Sequence, residues 1–184
     1  VNIGIDVQMN KSSNDGILEY DVNLTNFKNA IKSIANKCKE DLLVLVETTV
    51  PPGTTEKIVK KILVSGLKKR NLSYDSFKLG HSSERVMPGE KYIDSIQNFY
   101  RVYSGINKKS ADETESFLKT IISTEHYPLT RLSTTNATEI SKVLENSYRA
   151  VNIAFIEEWS RFAEESGVNL FEIIDAIRLR PTHS

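Results

Sequence analysis

The chain has 184 residues, with 24 Lys and Arg against 24 Asp and Glu, for a formal net charge of zero. A balanced charge supplies no field for nucleic acid or an anionic membrane, and the length suffices for one domain, or one and a half, with a real core. No apolar run reaches a membrane span, no basic-then-apolar leader is seen, and the single cysteine, Cys38, cannot form an internal disulfide, so a reducing cytoplasm is the expected setting.

In chain order, Val1-Asn2-Ile3-Gly4-Ile5-Asp6-Val7 reads as a buried strand, followed by a polar loop over Asn10–Asp15. Leu24, Phe27, Ala30, Ile31, Ile34, Ala35 and Cys38 recur at helical spacing and form one apolar stripe. The run Leu42-Leu43-Val44-Leu45-Val46 is a short strand, stopped at Glu47-Thr48-Thr49-Val50-Pro51-Pro52-Gly53, where two prolines and a glycine forbid continuation. Thr54 or Thr55 is then expected to cap a helix carrying Ile58, Val59, Ile62 and Leu63.

Strands are predicted at Phe77–Gly80 and Tyr100–Ile106, and a helix at Ala111–Ile122 with Phe117, Leu118, Ile121 and Ile122 on its apolar face. This alternation predicts an α/β fold with right-handed crossovers and a mostly parallel sheet. From Thr135 to Ser166 the pattern is helical without a proline or glycine, until Gly167 ends it. Asn169 is placed to cap a shorter helix running to Leu179. Both ends, the opening strand and the closing Arg180-Pro181-Thr182-His183-Ser184, read as interior segments of a longer protein.

Ligands of open parallel sheets bind outside the carboxyl ends of the strands. Three segments are expected there: Asp6-Val7-Gln8, Thr48-Thr49-Val50-Pro51 and His81-Ser82-Ser83-Glu84. If their strands are adjacent, Thr49 and Glu84 share a crevice, with a hydroxyl to donate and accept hydrogen bonds and a carboxylate to serve as an acid or base. Taken alone, Thr49 reads more readily as a turn residue and Glu84 as a solvated one. Lys142 and Asn146 stand four apart on one helix face, where a cation and an amide could steady an oxyanion, or simply face water. Glu145 and Arg149 form an i,i+4 ion pair that needs no function. His81, His126 and His183 are too widely spaced for a metal motif, and Cys38 is expected to pack in a core. A glycine-rich phosphate loop is absent from the chain.

Four segments carry a resemblance. Glu47-Thr48-Thr49-Val50-Pro51-Pro52-Gly53-Thr54-Thr55 resembles the "(E)STVPPGTT" segment of the UDP-glucose and GDP-mannose dehydrogenase family, and Ser83-Glu84-Arg85-Val86-Met87-Pro88-Gly89 its "SPERVxPG". Lys142-Val143-Leu144-Glu145-Asn146-Ser147-Tyr148-Arg149-Ala150-Val151-Asn152-Ile153-Ala154 is similar to its "K-x-x-E-N-x-Y-R-A-x-N-I-A" helix. The closing Ala176–Ser184 resembles the stretch before its glycine-rich segment that bears the catalytic cysteine.

The resemblance implies the C-terminal part of a Rossmann-like NAD-binding domain over 1–132, then the truncated start of a central helical, dimer-forming domain over 133–184 built on the long helix. It implies oxidation of a sugar C6 alcohol to a carboxylate with two NAD⁺, the aldehyde being trapped by a cysteine, oxidised to a thioester and hydrolysed. Lys142 and Asn146 would steady the C6 oxyanion, Glu84 would take part in acid–base work, and Thr49 would order water near the nicotinamide. Gln8 and Thr49 would lie by the cofactor, and Arg85 and Val86 along the nucleotide-sugar. Ser83 departs from the family's proline, which predicts a looser presentation of Glu84. The Arg-Val-Met-Pro-Gly form suggests the branch acting on N-acetylated or capsule-type UDP-sugars. The glycine loop would precede Val1 and the nucleophilic cysteine would follow Ser184, so this polypeptide alone is expected to be inactive and to bind NAD poorly. The competing readings are a β-hydroxyacid dehydrogenase relative and a non-catalytic helical oligomerisation module.

Overall fold

A computed structural model describes residues 6–10, 19–86, 89 and 91–179. By its contacts the chain divides into Val1–Val143 and Leu144–Ser184. The first unit carries a four-stranded sheet of β3 (Leu43–Val46), β4 (Lys78–Ser82), β5 (Val102–Gly105) and β6 (Thr130–Arg131), in that spatial order. The pairs β3–β4 and β5–β6 are parallel, whereas β4–β5 is antiparallel. The sheet is thus mostly parallel, as the alternating pattern predicts, with one reversal. A parallel return would need a crossover helix covering the sheet face. Among the described residues, the β4–β5 connection offers only α3 (Tyr92–Gln97), a six-residue helix whose Tyr92 and Ile93 are exposed.

Val44 and Val46 point to one side of β3 and Leu45 to the other, so each face gathers its own core. On the first face, Phe27, Ile31 and Ala35 of α1 (Thr25–Ala35) pack with Leu63 and Leu67 of α2 (Lys60–Lys69) over Val44, Val46 and Leu79. Cys38 lies in this core, a packing residue as expected. On the second face, Leu118 and Ile122 meet Tyr103, with Leu45 packed against them. Leu118 belongs to α4 (Lys108–Lys119). That helix starts three residues before the expected Ala111 because Asn107 caps it, accepting from the Ser110 N–H at 2.8 Å. Gly80 allows this close seating, since a Cβ there would stand 2.2 Å from Thr114 Oγ1.

A separate two-stranded sheet precedes this one in the chain. β1 (Asp6–Asn10) pairs antiparallel with β2 (Glu19–Asn23) in a separate two-stranded sheet, and residues 1–5 and most of the expected Asn10–Asp15 loop lie outside the described residues. Pairing with a partner so near in sequence closes a short loop at small entropic cost. Asp6, Val7 and Gln8 thus lie within β1 of this two-stranded sheet and not after a strand of the four-stranded one, which corrects the expectation of a third segment at that edge.

The helix α5 (Thr135–Glu165) runs across the division between the two units. Within the second unit it ends at Gly167, whose φ of 69° lets the Val168 N–H reach back to the Ala163 carbonyl at 3.0 Å. Asn169 then caps α6 (Leu170–Arg178) through the Phe171 N–H at 3.0 Å. Glu145 and Arg149 approach to 3.9 Å with Arg149 largely exposed, a surface pair of little energetic weight. Tyr148 is 75 % and Phe162 72 % exposed, so this unit leaves much of its apolar face uncovered. Among the described residues no helix is long and apolar enough to cross a membrane.

Candidate functional site

Because β3 and β4 are parallel neighbours with Val46 level with His81, the segments after them leave from the same edge. One carries Thr49, exposed, and the other Glu84, half-buried. The Thr49 loop is stiff: Val50 is buried in the core, Pro51 and Pro52 have fixed φ, and Thr54 Oγ1 donates to the Pro51 carbonyl at 2.6 Å.

The helix after this loop is not capped by Thr54 or Thr55. Thr54 already has helical dihedrals and makes no side-chain cap, and the chain enters α2 through a wide π-helical turn, Thr55–Val59. The cap comes from α5. Glu139, 1 % exposed, accepts from the Gly53 N–H at 2.5 Å and the Thr55 N–H at 2.7 Å. Gly53 reaches this position at φ 86°, a region that a side chain would strain. A carboxylate on two amide donors at the positive end of a helix is well satisfied even when buried.

The neighbouring residues of α5 grip β4. Thr138 Oγ1 lies 2.8 Å from both His81 Nδ1 and Ser104 Oγ, all three side chains being buried. Burial pushes the His81 pKa from 6.5 down to about 4, against a hydrogen bond with the Thr48 backbone that favours the proton. The ring is therefore neutral at ordinary pH and serves as a strut. Ser83 Oγ donates to the Thr138 carbonyl at 3.4 Å and is buried. Its hydroxyl thus ties the residue before Glu84 to α5.

Lys142, one turn beyond Glu139 and Thr138, donates from Nζ to the Glu84 carbonyl at 2.8 Å. The Glu84 carboxylate accepts from the Val86 N–H at 2.5 Å, folding the segment into a tight turn. Arg85 Nη1 donates to the Tyr100 carbonyl at 2.9 Å, and Val86 is half-buried. The structure thus brings Lys142 and Glu84 together, and Thr49 to the same sheet edge. Asn146 is exposed on α5 within the second unit.

Three partners escaped the sequence: Glu139, the Thr138–His81–Ser104 network, and the ion pair of Arg101 with Glu47. Arg101 is nearly buried just before β5, and its Nη1 meets Glu47 Oε1 at 2.5 Å, bridging the ends of two strands across β4. The only local hint was that Thr138, Glu139 and Lys142 stand at i, i+1 and i+4 on one helix.

Chemically, an ammonium held at a carboxylate-bearing turn can stabilise developing negative charge while the carboxylate moves a proton. The parallel edge with the exposed Thr49 hydroxyl lies where open α/β sheets bind their ligands. The helix start at Gly53–Thr55 does not suit its phosphates, because Glu139 already occupies those amides. Among the described residues no cluster of His, Cys, Asp and Glu could hold a metal ion.

Comparison with known proteins is consistent along the chain. Residues 9–122 match the NAD binding domain of the UDP-glucose/GDP-mannose dehydrogenase family, and residues 136–184 match that family's central domain. A UDP-N-acetyl-D-mannosamine dehydrogenase of Methanocaldococcus jannaschii is 34% identical over 163 residues, covering 89% of this chain and 35% of that protein. The solved UDP-D-ManNAc dehydrogenase from Pyrococcus horikoshii superposes with a TM-score of 0.73 at 30% identity, over 88% of this chain and 37% of that one. The UDP-N-acetyl-mannosamine dehydrogenase Cap5O from Staphylococcus aureus shares the fold, with a TM-score of 0.72 at 24% identity over 87% of this chain and 37% of that one. The chain spans about a third of the length of the curated relatives it matches.

Proposed function

We propose a function from one premise: this chain belongs to the UDP-glucose/GDP-mannose dehydrogenase family, and comprises sequence from its NAD-binding and central domains. The whole protein oxidises the C6 alcohol of a UDP-sugar to the uronic acid in two NAD-linked steps. Its sugar is N-acetylated, a reading supported by the names of its relatives and by the Arg85-Val86-Met87-Pro88-Gly89 segment. Alcohol to carboxylate removes four electrons as two hydrides, adds one water and releases protons, so NAD⁺, which accepts one hydride at a time, is used twice.

The chain's own residues have these proposed parts. The Lys142 ammonium stabilises the negative charge that develops on the C6 oxygen, and Asn146, assigned from the motif it shares with Lys142, adds an amide donor. Glu84 moves protons during hydrolysis, Thr49 orders water beside the nicotinamide, and Arg85 and Val86 run along the nucleotide-sugar. Gln8 remains a proposed cofactor contact. The observation that carries this reading is the 2.8 Å bond from Lys142 Nζ to the Glu84 carbonyl, which sets the cation beside the proposed acid–base residue.

The domain division at 132/133, assembly as a homodimer through α5 and a cytoplasmic setting belong to the same proposal. The exposed Tyr148, Val151 and Phe162 support the dimer. The intracellular supply of both nucleotide substrates supports the setting. The 184-residue polypeptide by itself turns over no UDP-sugar, because it contains no glycine-rich phosphate loop and its one thiol, Cys38, is buried in a core.

The test is incubation of the whole protein with NAD⁺ and either UDP-N-acetylmannosamine or UDP-glucose, following NADH and the product's mass. Two NADH per sugar and faster turnover of the N-acetylated substrate are expected. Failure to reduce NAD⁺ with any UDP-sugar refutes the dehydrogenase reading.

A further inference from the structure

We infer that Glu139 is a positioning residue, whose buried carboxylate holds the Thr49 loop in register with the helix bearing Lys142. The inference rests on the roles proposed for those two residues. It begins from an oddity of the cap. A helix start is ordinarily satisfied by the residue beside it, and the chain offers two threonines there. Thr54 instead turns its hydroxyl back to the Pro51 carbonyl, and Thr55 Oγ1 is buried without a hydrogen-bond partner among the described residues. The cap comes from 86 and 84 positions away, to Gly53 and Thr55 respectively. A distant cap does what a local one cannot: it fixes one segment against another.

What it fixes is the relation between the two proposed parts. From Gly53 the chain runs back through Pro52, Pro51 and the buried Val50 to Thr49, a path with few soft torsions. From Glu139 it runs one helical turn forward to Lys142, whose Nζ rests on the Glu84 carbonyl. A shift of the helix start against α5 therefore moves Thr49 relative to Lys142 almost rigidly. Burial makes the hold strict, since a carboxyl group at 1 % exposure has no water to replace the two amides as partners.

The test uses the whole protein with UDP-sugar and NAD⁺, at a temperature well below the melting point of every variant. Glu139→Gln keeps the size but presents an NH₂ group to one amide donor, and it should lower kcat by about ten- to a hundred-fold, the scale expected of a small misplacement. KM should change by less than about three-fold, because the loss falls on the transition state. Glu139→Asp, which keeps the charge but shortens the reach, should recover part of kcat, and it carries the test should the glutamine variant not fold. Leu67→Ala, a core truncation away from α5, should lower the melting temperature at least as much yet leave kcat unchanged. The inference is overturned by a glutamine or aspartate variant with unmodified kcat, or by an equal kcat loss in Leu67→Ala. Absence of NADH formation in the unmodified protein would instead refute the dehydrogenase reading, so the two failures are distinct.

Discussion

Acid should loosen the first unit through His81 before it reaches Glu115. The ring is buried against Thr138, and its pKa falls from 6.5 to about 4 in the fold. The unfolded chain therefore takes up the proton first. The stability from keeping this ring neutral is fully present above about pH 6.5 and is lost as pH falls toward 4. At about 1.4 kcal/mol per pH unit the whole loss is about 3 kcal/mol, of which about 2 kcal/mol is gone by about pH 5. Glu115 has its pKa lowered, first by Lys119 and then by Tyr103, so its contribution is present above its unfolded value of 4.5 and disappears only below it. The interval from neutral to about pH 5 thus isolates the histidine. The assay is urea unfolding followed by circular dichroism at several pH values in that interval. It is repeated on His81→Asn, which keeps a hydrogen-bonding group beside Thr138 but does not titrate. The unmodified chain should lose about 2 kcal/mol and the variant almost none. Equal slopes in the two proteins would refute the assignment.

Other consequences can be checked separately. Lys142→Met in the whole protein should lower kcat by about 10²–10³-fold with the fold intact by circular dichroism, and retention of half the activity would remove Lys142 from its proposed role. Gly80→Ala places a methyl 2.2 Å from Thr114 Oγ1 and should cost about 1–3 kcal/mol in urea unfolding. An unchanged midpoint would show that α4 yields without cost. Sedimentation of the whole protein should give a dimer that Phe162→Glu weakens, whereas an unmodified monomer would exclude assembly through the exposed face of α5.

The elements written in local pattern were legible. The stripe read from Leu24 to Cys38 appears as a helix that stops at Ala35, and the run ending at Val46, the prolines that stop it, and the helix from Thr135 closed by Gly167 appear where their spacing places them. The motifs that carry the family resemblance are also contiguous, so Thr49, Glu84 and Lys142 could be singled out before any fold was known. Where sequence reasoning failed, the deciding contact was remote. The opening strand reads the same whether it enters a parallel sheet or folds back on Glu19–Asn23, because alternation records a buried face and not a partner. The direction of β5 depended on how little of the sheet α3 could cover.

Amino-acid order by itself determined the class of fold, the long helix and the residues that name the family, since each depends on neighbours a few positions apart. Only the tertiary structure decided how those residues are held. The caps and struts of the candidate site, Glu139 on Gly53 and Thr55, Thr138 on His81, and Arg101 on Glu47, join positions dozens of residues apart. Such pairs have no period or spacing that the chain could display. They exist because a buried carboxylate, imidazole or guanidinium must find its partner wherever packing brings one.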